Sequence, residues 1–276
     1  MGDLLQRPRE IVILVAERHR FHPAPGSQAE ADFAERLFPD EFNETLLHQP
    51  RSTASLYLRV GSDHLAGLGA LFRQREIFMA PGALARAALE HAVRAVLLLD
   101  NGVMARQRSA RAVLDDLVSA NFSKIAVSHL GGKGTPSYAT TNTRFDEMRS
   151  IAERCFNDVH LADDPFKWSV EGERYLRITD AVQAWGKSRN DGIPGEGIYD
   201  ALSLYPHPQT FAAREEVVLD AETGDLRMET HLDMLKKVAS ASLAAWLDAM
   251  MVFITYHRWD VSEMDAFMDA AVILNT

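Results

Sequence analysis

The chain has 276 residues, of which 47% are apolar and 25% charged, which is ordinary for a globular protein long enough to bury a sizeable core. Its formal net charge of −10 argues against a DNA-binding protein, because nucleic-acid binders usually present a basic face. The single cysteine, Cys155, excludes an intrachain disulfide and a four-cysteine zinc site, and it fits a reducing, cytoplasmic compartment.

The N-terminal part of the chain is predicted to contain two short helices. Apolar periodicity indicates the first over residues 9–20. The second is expected to run from an N-cap at Ser27 to Phe38, because a serine followed three residues later by a glutamate is the pattern of a capping box. We predict that residues 1–50 form a helical arm packed on a main domain of residues 51–276.

Two longer helices follow, and the second is the most apolar segment of the chain. The first is predicted over residues 53–74, after Pro50, with His64 on its apolar ladder. The second covers residues 83–99, and its few polar positions are Arg86, Glu90, His91 and Arg94. A helix that is apolar on nearly every side is expected at the centre of a bundle.

The second half of the chain is predicted to combine helices with one hairpin. Helical segments are expected over residues 105–128, 144–159, 171–187, 198–207 and 231–257. Val217–Leu219 and Leu226–Met228 are short extended runs joined by a turn, and they carry the one strand signal in the sequence. The predicted fold is therefore all-α, a helical bundle with a small β-hairpin insertion near residues 214–230.

Three short motifs occur in a characteristic order over roughly residues 53–260. They are Asp63-His64-Leu65, then Leu84 to Glu90 with arginines at 106–111 behind it, and Tyr199 to Ser203 followed by His207-Pro208. Together they resemble a group of uncharacterised actinobacterial helical proteins that is distantly similar to the HEPN superfamily. The resemblance implies a HEPN-like bundle and a metal-independent ribonuclease or a toxin or defence component. In that reaction a histidine moves a proton from the ribose hydroxyl while an arginine holds the phosphate.

The HEPN catalytic pattern is an arginine followed four to six residues later by a histidine. It occurs at several places, among them Arg59–His64, Arg86–His91 and Arg154–His160. A chain with ten histidines produces such pairs by chance, so the pattern carries little information. Residues five apart on a helix lie about 140° from one another, and His91 is therefore expected to point away from Arg86.

Arg86 and Glu90 lie four residues apart on the apolar helix, with Arg94 four residues further along. Buried charges are costly unless they are paired, which leaves two interpretations. In one, the helix lines a polar pocket where Arg86 binds an anionic group and Glu90 orients it or acts as a base. In the other, the two residues form an ion pair that fixes helix packing.

Two further groups are candidates for site residues. Asp63 and His64 suggest a ligand or a proton shuttle, although a histidine on an apolar ladder is more often a core residue with satisfied hydrogen bonds. Tyr199, Ser203 and His207 are spaced by four, and His207 stands between two prolines. A histidine on such a rigid turn suits proton transfer, or it caps a helix C-terminus. We predict that this face lies opposite the Arg86 helix.

The predicted site therefore combines catalytic and substrate-binding residues, namely Arg86, Glu90 and His207 with Asp63, His64, Tyr199 and Ser203. Three functions stay open: a HEPN-like ribonuclease or toxin component, an enzyme or binder of a small anionic molecule, and a non-catalytic interaction protein. No metal or cofactor is expected, because Glu-x-x-His and dinucleotide-binding patterns are absent. The expected partner is a small anion or RNA, and the sequence leaves open whether the protein is a homodimer. The apolar run at residues 11–16 is too short for a membrane span.

Overall fold

The computed structural model describes residues 1–20, 22–74, 80–189, 195–203, 217–219, 223–228, 232–260, 262, 264 and 265. The helices are α1 (Arg7–His19), α2 (Gln28–Ala34), α3 (Asp40–Arg73), α4 (Ala80–Leu98), α5 (Ala105–Gly131), α6 (Pro136–Cys155), α7 (Ile178–Ser188), α8 (Gly195–Ser203) and α9 (Leu232–His257). The strands are β1 (Val159–His160), β2 (Ser169–Val170), β3 (Glu173–Arg174), β4 (Val217–Leu219) and β5 (Leu226–Met228). The protein is all-α with a small β insertion, and this confirms the predicted fold class.

The chain forms two compact units, and each of them is built from separated segments. Unit 1 comprises Met1–Ala24, Ala54–Leu97 and Ile178–Thr276. Unit 2 comprises Pro25–Thr53 and Leu98–Arg177. The division between the units falls within α3 and near the end of α4.

The core of unit 1 is centred on α4, as its all-round apolar sequence predicts. Leu89 and Val93 of α4 are fully buried, and so is Trp246 of α9. The indole Nε1 of Trp246 donates to the backbone oxygen of Leu58 in α3 at 3.0 Å. The two helices pack closely at Gly61, where a Cβ would lie at ordinary contact distance from the Trp246 ring, 3.5 Å.

Helix α9 is more apolar on average than α4, although the sequence was expected to be most apolar over residues 83–99. Its segment Asp233–His257 is long and apolar enough to cross a membrane, but 61% of its most apolar window is buried inside the protein. A mostly buried apolar helix is expected at the core of a soluble protein. The apolar length of α9 is therefore explained by its packing.

Unit 2 is built around the pairing of α5 with α6 and a small antiparallel sheet. The sheet has the order β1-β2-β3, with Val159 opposite Val170 and Ser169 opposite Arg174. Its central strand contributes Val170, which is fully buried in the same apolar cluster as Leu114 and Leu117 of α5. The sheet therefore covers one side of the α5 helix.

The boundaries of α2 and α3 differ from the predicted ones. Helix α2 ends at Ala34 instead of Phe38, because the N–H groups of Leu37 and Phe38 donate to the side-chain oxygen of Asn43 at 2.9 and 3.0 Å. This turn starts α3 well before the predicted position, and Pro50 lies inside the helix. A proline within a helix costs one backbone hydrogen bond, which the long packed helix tolerates.

The sheet of unit 2 was not predicted, whereas the hairpin of unit 1 was. Two-residue strands are too short to show an alternating pattern, and β1 to β3 fall within or beside segments predicted to be helical. Strands β4 and β5 have the predicted bounds and pair in antiparallel register, with Val218 opposite Arg227. The hairpin prediction is therefore confirmed, and the prediction of helix over residues 156–159 and 171–177 is wrong.

Candidate functional site

Three polar side chains of unit 1 form a closed hydrogen-bonded group, which we call the Arg86 triad (Arg86, Glu90 and Tyr199). Arg86 Nε donates to Glu90 Oε1 at 2.7 Å, and Arg86 Nη2 donates to the Tyr199 hydroxyl at 2.8 Å. The Tyr199 hydroxyl donates to the same Glu90 oxygen at 3.1 Å. The guanidinium carbon lies 5.0 Å from the centre of the Tyr199 ring. The triad therefore joins α4 to α8.

The Arg86 triad is partly buried. The side chains of Arg86 and Glu90 are 20% and 28% exposed, while Tyr199 is buried. The spacing of four residues places Arg86 and Glu90 one turn apart on the same face of α4, which allows the ion pair. Tyr199 closes the group from the side of α8.

The two edges of the Arg86 guanidinium have different surroundings. The edge formed by Nε and Nη2 is occupied by Glu90 and Tyr199. Across the described residues, no hydrogen bond is formed by Nη1, which lies on the other edge. Guanidinium edges bind carboxylate and phosphate groups through two parallel hydrogen bonds. The unoccupied edge of Arg86 is therefore suited to an anionic group that arrives from solvent.

The protonation states of the triad follow from its hydrogen bonds. Burial raises the pKa of Tyr199, and the charge of Glu90 raises it further, whereas Arg86 and Thr179 oppose the change. The phenol therefore stays neutral near pH 7 and donates to Glu90. Partial burial alone would lower the pKa of Arg86, but its hydrogen bond to Glu90 and the charge of that carboxylate outweigh burial and raise it.

The other residues of the predicted Tyr199 face have separate outcomes. The hydroxyl of Ser203 donates to the backbone oxygen of Tyr199 at 2.7 Å, so it is used within α8. His207 lies outside the described residues. The structure therefore brings Tyr199 to Arg86, and the shared site of Arg86 and His207 stays a prediction.

Asp63 and His64 occupy a different part of unit 1. Asp63 forms an ion pair with Arg9 at 3.1 Å in which both side chains are more than 60% exposed. The ring of His64 lies 5.3 Å from that of His91, which is itself 5.5 Å from Tyr57. Burial and the nearby His91 lower the pKa of His64, and Asp63 opposes them. No hydrogen bond, ion pair or ring contact among the described residues joins Asp63 or His64 to the Arg86 triad.

The HEPN-type pair Arg86–His91 is not assembled in unit 1. Arg86 faces Glu90 and Tyr199, whereas His91 contacts Tyr57 and His64. Nδ1 of His91 lies 2.7 Å from the backbone oxygen of Ala87, one helical turn earlier. The separation of the two side chains agrees with the angle of about 140° expected for residues five apart on a helix.

The arginines at the start of α5 are structural in unit 2. Arg108 is 1% exposed and binds both carboxylate oxygens of Asp32, at 2.9 and 2.7 Å. Arg106 and Arg111 donate to Glu171 and Glu173, at 2.8 and 2.7 Å. Each of the three cations therefore has an acidic partner within unit 2.

Unit 1 also has a groove of about 490 Å³, which the sequence did not predict. It is lined by Val96, Trp185, Ser188, Arg189, Asp248, Met251 and Val252. Trp185 Nε1 donates to Asp248 Oδ2 at 2.9 Å, and Arg189 pairs with the same carboxylate. The sequence feature that could have indicated this groove is Asp248, a single carboxylate in the apolar stretch of α9. Because both donors already satisfy Asp248, the groove presents no charged group with the open edge that Arg86 has.

Neither the possible metal ligands among the described residues nor similarity to known proteins indicates a function. Within the part of the chain that the structure describes, no group of three or more histidine, cysteine, aspartate or glutamate side chains is placed to hold a metal ion. No protein-family model, curated protein or solved structure matches the chain. The Arg86 triad is therefore the candidate functional site.

Proposed function

We propose that the protein binds a small organic anion through the unoccupied edge of Arg86. The main support for the proposal is that the two edges of the Arg86 guanidinium have different surroundings. Glu90 and Tyr199 hold its Nε–Nη2 edge, and the Nη1 edge has no partner among the described residues. A side chain fixed in this way loses little conformational freedom when a ligand binds, which increases affinity.

The composition of the triad selects a singly charged ligand. Glu90 accepts from both Arg86 and Tyr199, so its negative charge lies beside the guanidinium. A doubly charged phosphate would be repelled by this carboxylate, because like charges at short range raise the energy. A carboxylate carries one charge and matches the planar edge of the guanidinium with two parallel bonds. We therefore infer that a monocarboxylate is the preferred ligand.

Binding has more support than ribonuclease activity in the described geometry. Cleavage of RNA requires a proton-transfer group within hydrogen-bond reach of the substrate that Arg86 holds. His91 faces other residues, and His207 lies outside the described residues. The binding proposal needs only Arg86, Glu90 and Tyr199, which are all in contact.

We also propose that the protein resides in the cytoplasm. Its only cysteine, Cys155, is buried in unit 2. Burial raises the pKa of the Cys155 thiol, although Arg154 and Arg106 oppose the change. A buried thiol with a raised pKa is a poor nucleophile and does not readily form a disulfide. A chain whose single cysteine stays a free thiol is typical of a reducing compartment, and fractionation of the native host cell tests the proposal.

Calorimetric titration with benzoate tests the binding proposal. Benzamide is the matched neutral ligand, because it has the same ring and shape without the charge. Arg86→Met should abolish benzoate binding while it preserves most of the apolar stem. Arg149→Met is the matched control, because Arg149 pairs with Glu153 at the same 2.7 Å and the same spacing of four, but on the exposed surface of α6.

The expected result is a benzoate affinity that exceeds the benzamide affinity by at least tenfold, or about 1.4 kcal/mol. Arg149→Met should keep this preference, and Arg86→Met should lose it. Phenyl phosphate should bind more weakly than benzoate. Equal affinity for benzoate and benzamide, or undiminished benzoate binding by Arg86→Met, would contradict the proposal.

A further inference from the structure

Unit 2 carries a partly exposed aromatic surface beside its core. We call it the Phe166 patch (Phe122, Ile125, Phe166 and Tyr175). Phe122, Ile125 and Phe166 are 44%, 39% and 39% exposed. The Phe166 ring lies 6.0 Å from the ring of Phe122 and 6.1 Å from that of Tyr175. Single exposed apolar residues are ordinary on a protein surface, but contiguous exposed rings usually mark an interaction site.

Four charged residues lie next to Phe166 in sequence or contact it in space, two of each sign. Asp164 accepts a hydrogen bond from the backbone N–H of Phe166 at 3.0 Å, and Asp163 precedes it. Lys167 follows the phenylalanine in sequence, and the guanidinium carbon of Arg177 lies 4.9 Å from the centre of its ring. Among the described residues, none of these four charges has an ion-pair partner.

We propose that a second copy of this chain binds the Phe166 patch, and that the two copies are related by a two-fold axis. Such an interface uses the same patch on both subunits, so the patch must be complementary to itself. Aromatic rings at the centre satisfy this requirement, because they can pack on one another across the axis. The border satisfies it as well, since Asp163 and Asp164 of one copy can pair with Lys167 and Arg177 of the other.

The balance of charges favours a protein partner over nucleic acid. Stacking rings beside arginine are also found in surfaces that bind single strands, but those surfaces carry an excess of positive charge along the backbone path. Here Asp163 and Asp164 cancel Lys167 and Arg177. The net charge of −10 also gives the chain no overall attraction for phosphates.

Sedimentation velocity of the full chain over a range of concentrations tests the proposal. The wild-type chain should form a dimer, and Phe122→Glu or Phe166→Glu should weaken the dimer by at least about tenfold, because a charge enters the apolar centre. Leu130→Glu is the matched control, since Leu130 is 89% exposed on the same helix but forms no ring contact with the patch. It should leave the dimer unchanged.

A charge exchange separates pairing across the axis from a local effect on Phe166. Arg177→Asp alone should weaken the dimer, and adding Asp163→Arg should restore much of it, because the two positions face each other between copies. A wild-type chain that stays monomeric at all concentrations would overturn the proposal. So would an equal loss in Leu130→Glu, failure of the exchange to restore the dimer, or binding of a labelled oligothymidine that Phe122→Glu abolishes.

Discussion

Ion pairs of the same chemistry differ widely in burial within this protein. Arg108 and Asp32 are 1% and 5% exposed, whereas Arg149 and Glu153 are 54% and 50% exposed. A buried charge that loses its partner keeps its desolvation cost, while an exposed one is solvated by water. The same substitution should therefore have very different consequences at the two positions.

Asp32→Ala should lower the free energy of unfolding by about 3–5 kcal/mol, because it leaves the Arg108 guanidinium buried without its carboxylate. Glu153→Ala, the matched change in an exposed pair, should cost less than about 1 kcal/mol. Urea denaturation of both variants measures the difference. Similar losses would mean that the burial of Arg108 does not control its energetics.

The Arg86 triad lies between these extremes. Because its ion pair is only partly buried, Glu90→Ala should cost about 1–2 kcal/mol, below the range for a fully buried pair. Combining it with Arg86→Met should recover part of this loss, since the unpaired guanidinium is removed as well. Thermal melts of the single and double variants decide it, and a double variant less stable than Glu90→Ala would contradict the expectation.

His64 should make stability depend on pH. Its folded pKa lies below the unfolded value of 6.5, so the unfolded chain binds more protons in the window between the two. The stability that depends on a neutral His64 is fully present above pH 6.5 and is lost as the pH falls through the folded pKa of His64. His64→Gln should therefore show a shallower loss of stability on acidification than the wild type in urea denaturation series. Parallel pH profiles of the two proteins would rule out this role.

Sequence spacing predicted part of the candidate site. The spacing of Arg86 and Glu90, one turn apart on an apolar helix, left open an ion pair or a polar pocket, and Tyr199 was expected beside them as the next polar face. The use of the Ser203 hydroxyl within α8 and the solvent-exposed pairing of Asp63 with Arg9 were not predicted. Both depend on side-chain rotamers and on neighbours distant in sequence, which periodicity does not report.

Secondary structure was predicted best where apolar periodicity is long. The positions of α4, α5 and α9 follow from many turns of consistent pattern, whereas β1 to β3 have only two residues each and gave no signal. The α2–α3 turn was missed because it depends on one side chain, Asn43, that binds backbone N–H groups. Elements held by single polar contacts are thus the ones that sequence patterns fail to locate.

Two glycines of α3 should respond differently to alanine. A Cβ on Gly69 would lie 2.5 Å from the backbone oxygen of Gly2, whereas one on Gly67 would meet only Leu84 at 3.4 Å. Alanine gains about 1 kcal/mol over glycine within a helix. Gly67→Ala should therefore be neutral or stabilising, and Gly69→Ala should lose stability because its gain is outweighed by the clash. Thermal melts compare them, and an equal rise in Tm for both would refute the close approach of Gly2.

At the scale of the whole molecule, both units are assembled from separated segments of the chain. The core of unit 2 combines Leu46 and Leu47 with Val113 and Leu117, which follow more than 60 residues later. Local sequence patterns do not report such long-range contacts. The predicted arm and main domain therefore do not coincide with the two units. The Arg86 triad lies entirely within unit 1, so a single unit supplies all three of its side chains.

The most direct measurement for the central claim is the Nε–H signal of Arg86 in nitrogen-15 correlation spectra, assigned by its absence in Arg86→Lys. We predict that benzoate shifts this signal in a saturable way, that benzamide leaves it in place, and that the Arg149 signal responds to neither ligand. An Arg86 signal that stays unmoved by benzoate, or that moves equally with benzamide, would contradict the assignment of Arg86 as the anion-binding residue.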